Sequence, residues 1–264
     1  MVSRRASDDD ARADGNIVQS LERGLAVMQV FSREHPSLTL SEAAELAGVT
    51  RATARRILLT LEHLGYVKCD SRRFTPTAKL LSIGYAYLSS LDLWEVAEPY
   101  MEELAEETGE SCSAAILDGP EIVYVARVPA KRIMAIALNV GSRLPAHATS
   151  MGRVLLAYLA PEELDVYFRT STRERLTTRT VVDEAELRAR LETVACRGWA
   201  LVDQELEMGV RSIAAPIRDP RGRVVAALNV STHAGRVAVE EMERDFLPHL
   251  LNAAKLVGER VTVR

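Results

Sequence analysis

The residues LTLSEAAELAGVTRATARRILLTLEHLGYVKCDSRRFTP, positions 38–76, decide the fold of the first third of this chain. Thr39 stands three residues before Glu42, the spacing of a capping box, in which hydroxyl and carboxylate each take a backbone N–H at a helix start. A short helix is expected from there, ended by Gly48, which adopts left-handed backbone without strain. Thr50 caps a second helix that runs to about Leu64. Its apolar residues Ala54, Ile57, Leu58, Leu61 and Leu64 recur at three- and four-residue steps and share one buried face. The opposite face carries Arg51, Thr53, Arg55, Arg56 and Thr60. Tyr66–Cys69 and Phe74–Thr75 flank the turn Asp70-Ser71-Arg72-Arg73, a basic two-stranded wing. Upstream, Ile17 to Phe31 is apolar at Ile17, Leu21, Leu25, Met28 and Phe31 and supplies a third helix for the core. The segment reads as a winged helix-turn-helix, whose second helix meets base edges in the major groove while neighbouring basic groups hold phosphates. The expected DNA contacts are Thr50, Arg51, Thr53, Arg55 and Arg56 on the helix, and Arg72 and Arg73 on the wing. A helical hairpin with a solvated basic face would share some of these features. The combination of cap, turn glycine, core spacing, basic face and basic wing favours DNA.

With 264 residues, 47% of them hydrophobic and 27% charged, the chain has room for two globular domains. A net charge of −4 is unpromising for a DNA binder, but the charge is uneven. Arg51 to Arg73 holds six basic residues against two acidic ones, a net of +4, whereas Leu80 to Ala126 contains no lysine or arginine. Positive charge is thus concentrated where phosphates would be met. No apolar run approaches the roughly 18 residues of a membrane span, and the charged N-terminus has no signal-peptide core, which points to the cytoplasm and to no membrane partner. Cys69, Cys112 and Cys196 lack C-x-x-C spacing, so each is expected to be a reduced thiol in packing, with no disulfide framework and no metal site.

The expected organisation is a disordered arm over 1–16, a DNA-binding domain over 17–76, a helical linker over 77–92 and a second domain over 93–264. Pro76 to about Leu91 and Leu93 to Thr108 read as helices, with Pro99 kinking the second or marking its true first turn. Together they read as a helical connector, with a core helix of the second domain as the lesser alternative for the second of them. Strands follow at Ser111–Leu117 and Glu121–Arg127, around the turn Asp118-Gly119-Pro120, and at Ile133–Val140. Helices are expected at Met151–Leu159, Pro161–Phe168 and Asp183–Cys196, then strands at Trp199–Val202, Arg211–Ile217 and Val224–Val230, and a closing amphipathic helix at about Val239–Glu259. Antiparallel strands interrupted by helices give an α+β class.

The second domain carries no catalytic constellation: G-x-S-x-G, G-x-x-x-x-G-K and H-E-x-x-H are all missing from the sequence, and the chain's five histidines, His35, His63, His147, His233 and His249, are scattered. No cofactor is expected. Two segments nonetheless place polar groups where a cavity could lie. Val140 to Gly152 is a loop leading into a helix, whose free N–H groups can seat an anion; it could also be a plain strand-to-helix connection. Asp203 to Ser212 precedes a strand on which Asn229 and Ser231 alternate on one face, free to meet a ligand or to bond backbone.

Val18-Gln19-Ser20-Leu21-Glu22-Arg23, the winged motif, the loop Gly141-x-x-Leu144-Pro145-x-His147-Ala148-Thr149-x-x-Gly152 and Gly209 to Ile217 together resemble the IclR family of bacterial transcriptional regulators. The resemblance runs from about Ile17 to Val261. Asp203–Ser212 and Ala226–Ala234 further resemble the subgroup that controls β-ketoadipate-pathway genes for aromatic-acid breakdown. The resemblance implies a winged-helix dimer, commonly a dimer of dimers, joined by a helix to a GAF/profilin-like effector domain with an antiparallel sheet. Carried over by motif, it implies an effector pocket at Ser150, Met151, Gly152, Asp203, Ser212, Asn229 and Ser231. Some relatives have Gly-Ala where this chain has Ser150-Met151; the larger Met151 disfavours a two-carbon oxoacid and suits a flat aromatic one. A carboxylate leaving water needs cations or N–H dipoles, for which His147 and Arg211 are the candidates beside the N–H groups at 150–152. Operator DNA, a small carboxylate effector of the protocatechuate or β-ketoadipate type, and a second copy of the chain, docked through Leu81, Tyr85, Leu88 and Leu91, are the expected partners. The alternative is a small-acid-converting enzyme with an appended DNA-binding domain.

Overall fold

The computed structural model describes residues 17–32, 34–88, 93–130 and 138–261. The chain divides into two compact units, 1–87 and 88–264, and the division falls within the expected linker. The expected arm over 1–16 lies outside the described residues.

Unit 1 contains α1 (Gln19–Gln29), β1 (Leu38–Thr39), α2 (Leu40–Leu46), α3 (Arg51–His63), β2 (Val67–Asp70) and β3 (Arg73–Pro76). The capping box forms: Glu42 Oε2 accepts from the Thr39 N–H at 2.7 Å, and Thr39 Oγ1 accepts from the Glu42 N–H at 3.4 Å. Gly48 turns the chain between α2 and α3 at φ +63°. The wing closes through Ser71 and Arg72, both at positive φ, as a two-residue hairpin turn requires. Strand β1 was not expected. It pairs antiparallel with β3, Leu38 opposite Phe74, and both side chains enter a core with Val27, Ala43, Leu58 and Val67.

The periodicity misplaces the buried face of α1. Ile17, Leu21 and Leu25 are more than half exposed, and the helix packs through Val27 with Val30 and Phe31 beside it. Leu64 is likewise exposed, because α3 ends before it and only Ala54 and Leu58 are fully covered. Between α1 and α3 this leaves an open groove of about 610 Å³ lined by Leu21, Gly24, Ile57 and Leu61. A 3-10 turn (Ala78–Leu80) leads into α4 (Leu81–Leu88).

Unit 2 opens with α5 (Leu93–Thr108), which runs through Pro99. Strands β4 (Ser111–Asp118), β5 (Glu121–Val128), β6 (Arg143–Pro145), β7 (Ala200–Asp203), β8 (Val210–Arg218) and β9 (Val224–His233) form one antiparallel sheet ordered β6-β5-β4-β9-β8-β7. Most of the expected strand at 133–140 lies outside the described residues. Its described end, Leu138–Val140, is not strand, and β6 sits instead in what reads as loop. Helices α6 (Ser150–Ala157), α7 (Pro161–Thr170) and α8 (Glu184–Arg197) cover one face of the sheet, with Met151, Leu156, Leu187 and Leu191 packed on Ala115, Ala214 and Ala227. The other face packs Ile213, Ile217, Leu228 and Val230 against α5 and α9 (Leu247–Gly258). The closing helix is not continuous: a π-helical turn, Met242–Phe246, precedes α9, where Pro248 removes a donor and crowds the turn before it. Of the three thiols only Cys112 is packed. Cys69 and Cys196 are exposed.

Candidate functional site

In unit 1 the N-terminus of α3 is fixed by Thr50, whose Oγ1 accepts from the Thr53 N–H at 3.2 Å and lies 2.9 Å from Thr53 Oγ1. The two threonine hydroxyls therefore hold each other as well as the helix start. The guanidinium groups of Arg51, Arg55 and Arg56 are exposed and make no hydrogen bond or ion pair among the described residues. They are three flexible cations on the outer face of a helix pinned by Ala54 and Leu58. The wing splits the two arginines expected to act alike. Arg72, at the turn, is exposed and unengaged, while Arg73 donates to Ser37 Oγ at 3.0 Å and Ser37 O at 2.7 Å and lies 3.5 Å from Glu42 Oε2. Arg73 thus ties β3 to the start of β1 and to the capping box.

In unit 2 the strand register assembles a polar patch on the α6-covered face, because cross-strand partners share a face. One row runs Arg127–Ser113–Asn229–Ala214–Ala200, and the next runs Ser111–Ser231–Ser212–Val202. The following row, Tyr124–Ala115–Ala227–Pro216, is apolar. The central strands β4, β9 and β8 therefore line this face mostly with serine and alanine, apart from Asn229 and Pro216, grading from polar to apolar along the strands. Asn229 Nδ2 donates to Ser231 Oγ at 3.0 Å, but Asn229 Oδ1 is buried with no partner. On α6, which packs across β8 and β9, Ser150 Oγ is also buried with no partner. A buried polar atom without a partner costs on the order of 1–3 kcal/mol, so these two oxygens, on packed neighbouring elements, leave hydrogen-bonding capacity unused on this face.

Ser150, Met151, Ser212, Asn229 and Ser231 are therefore brought to one face. The other expected residues are engaged elsewhere. Gly152 N–H donates to the N-cap hydroxyl of Thr149 at 3.1 Å. A Cβ at Gly152 would stand 2.2 Å from Ala146 O, so this glycine serves a close backbone approach and leaves the N–H groups of Ser150 and Met151 as the open donors of the first turn. His147 is 1% exposed, and its Nε2 donates to Glu174 O at 3.0 Å. Burial lowers its pKa, leaving a neutral imidazole in place of a cation. Asp203 and Arg211 are cross-strand partners that point to the opposite face from Ser212 and bond each other at 2.7 Å. Asp203 also pairs with Arg179, and Arg211 Nη1 donates to Val237 O. One pair was not foreseen: Arg153, fully buried on α6, meets Glu205 Oε2 at 2.5 Å and donates to His147 O, while Glu205 accepts from the Val181 N–H. Only the run of apolar neighbours around Arg153 could have hinted at it.

The IclR helix-turn-helix domain family matches residues 20–71, and the family described as bacterial transcriptional regulator IclR C-terminal matches residues 85–258. The chain is 44% identical over 243 residues to the Pca regulon regulatory protein of Pseudomonas putida, covering 92% of this chain and 84% of that one. A crystal structure of a Rhodococcus transcriptional regulator is 50% identical, with a TM-score of 0.82 over 92% of this chain and 97% of that one. An IclR homologue from Microbacterium hydrocarbonoxydans, solved in complex with 4-hydroxybenzoate, is 26% identical with a TM-score of 0.81, covering 90% of this chain and 97% of its own.

Proposed function

Because the chain belongs to the IclR family of bacterial transcriptional regulators, which are DNA-binding proteins and not enzymes, we propose that its hold on operator DNA is controlled by a small aromatic carboxylate bound in unit 2. The observation that carries this reading is the α6-covered face of the sheet, lined along its central strands mostly by serine and alanine, with two unpartnered buried oxygens, at Ser150 and Asn229. Small residues leave room for an aromatic ring, a ligand hydroxyl can donate to Asn229 Oδ1, and a ligand carboxylate can accept from the Ser150 hydroxyl. The Pca regulon relative and the 4-hydroxybenzoate complex supply the ligand class. Ser150, Met151, Ser212, Asn229 and Ser231 form the wall and floor of this site. Gly152 shapes the turn, and His147, Asp203 and Arg211 support it from a distance.

In the same reading Thr50, Arg51, Thr53, Arg55 and Arg56 meet the major groove and Arg72 meets a phosphate. A second copy of the chain completes a two-fold reader, since one recognition helix spans only a few base pairs. Leu81 and Tyr85, 74% and 65% exposed, offer apolar surface for that contact. No described helix is long and apolar enough to cross a membrane, in keeping with a regulator working in the cytoplasm. Calorimetry with 4-hydroxybenzoate, protocatechuate and β-ketoadipate tests the effector reading. Binding of at least one, weakened in Asn229→Ala, is expected; no heat from any of the three would overturn it.

A further inference from the structure

An aromatic carboxylate brings one full negative charge, and the cations expected to meet it, together with the unforeseen Arg153, are already committed. Arg211 is held by Asp203 and the Val237 carbonyl, Arg153 by Glu205 and the His147 carbonyl, and His147 is neutral. The N–H groups of Ser150 and Met151 offer dipoles and no net charge. The strand register supplies what the expected set lacks. Arg127 on β5 pairs across to Ser113, and Ser113 pairs across to Asn229, so the three stand side by side on the α6-covered face. It is the one arginine in the two rows that carry Asn229 and the serines. Arg127 Nη1 reaches Ser113 Oγ at 3.4 Å, a long contact, and the guanidinium has no carboxylate partner among the described residues. It is only half-buried, so a ligand can reach it, whereas Ser113 and Asn229 beneath are 2% and 4% exposed.

We propose that Arg127 is the carboxylate anchor of the effector site, and that Asn229 Oδ1 accepts the ring hydroxyl of the same ligand. This rests on the effector reading above and deepens it. The two groups flank Ser113, with an arginine fork for a planar anion on one side and an unpartnered acceptor for an O–H donor on the other. The arrangement selects a ring bearing a carboxylate and, away from it, a hydroxyl. A ring with a neutral group in place of the carboxylate gives up the charged contact and leaves the arginine solvated as it is now.

The test compares 4-hydroxybenzoate with the uncharged 4-hydroxybenzamide by calorimetry on wild type, Arg127→Gln and Arg127→Lys, each checked for unchanged melting temperature. Wild type is expected to prefer the carboxylate. Arg127→Gln should weaken 4-hydroxybenzoate by roughly 10- to 100-fold while leaving 4-hydroxybenzamide nearly unchanged, the loss typical of a hydrogen bond to a charged group. Arg127→Lys should recover part of the preference. Equal weakening of both ligands would make Arg127 a positioning residue and overturn the proposal, as would wild-type affinity in Arg127→Gln. If wild type binds neither these two ligands nor protocatechuate nor β-ketoadipate, the effector reading itself falls, and this assignment with it.

Discussion

The outer face of α3 and the buried interior of unit 2 use arginine in opposite ways. On α3, the guanidinium groups of Arg51, Arg55 and Arg56 are exposed and unengaged among the described residues. In unit 2, Arg153 and Arg211 are buried and already spent on Glu205, Asp203 and backbone carbonyls. A DNA surface needs mobile charge that trades counterions for phosphates. A small-molecule site needs charge held at fixed positions, with most of its cations used to fix the walls. The same side chain is therefore left uncommitted in one unit and serves as a strut in the other, and its partners decide which.

The largest effect expected from this contrast is at a strut. Removing Glu205 (Glu205→Ala) strands the Arg153 guanidinium in the core and should destabilise unit 2 by about 3–5 kcal/mol, as breaking a buried pair does. Urea unfolding followed in each unit would read it, and a loss below about 1 kcal/mol would mean the pair is hydrated and the contrast overdrawn. Arg55→Ala and Arg56→Ala should leave folding intact and cost about 1–3 kcal/mol of operator affinity where the arginine forks onto a guanine. If both variants footprint like wild type, α3 is not the reading helix.

The wing sharpens the comparison within one hairpin. Arg72→Ala should weaken binding to all sequences alike and lower the salt slope by about 1. Arg73→Ala should act chiefly on stability, since it removes the tie to Ser37 and Glu42. Equal behaviour of the two would merge the roles the structure separates. The smallest effect expected is at His147, whose pKa is lowered by burial and, to a lesser degree, by Arg153 and Arg173. A histidine kept neutral by the fold contributes stability that is complete above the unfolded value of about 6.5 and is lost as pH falls from there through the folded value. Replacing it with Gln should flatten stability over that acid window.

Unit 1 was legible because its signals are local. Thr39 and Glu42, Gly48, and Thr50 with Thr53 are each read within four residues, and each forms as expected. The reading failed where the decision is tertiary: Leu21 and Leu25 fit a helical stripe, yet α1 packs through Val27. In unit 2 the strands and helices were mostly foreseen, but the site was only partly so. Asn229 and Ser231 share a face by simple alternation. Whether Asp203 and Arg211 face the same way as Ser212 depends on that alternation too, and it separates them. That Arg127 stands beside Ser113 and Asn229 depends on cross-strand register over more than a hundred residues, which no local pattern in the sequence encodes.

The central claim is that an acid bound in unit 2 changes how unit 1 holds DNA. Its most direct test is a fluorescence-anisotropy titration of the DNA flanking this protein's own gene, with and without saturating 4-hydroxybenzoate or protocatechuate. The account predicts a shift in operator Kd of roughly 5- to 150-fold and, by linkage, the same factor in acid affinity when operator is present. An acid that binds by calorimetry but leaves the two titrations superimposed would contradict it.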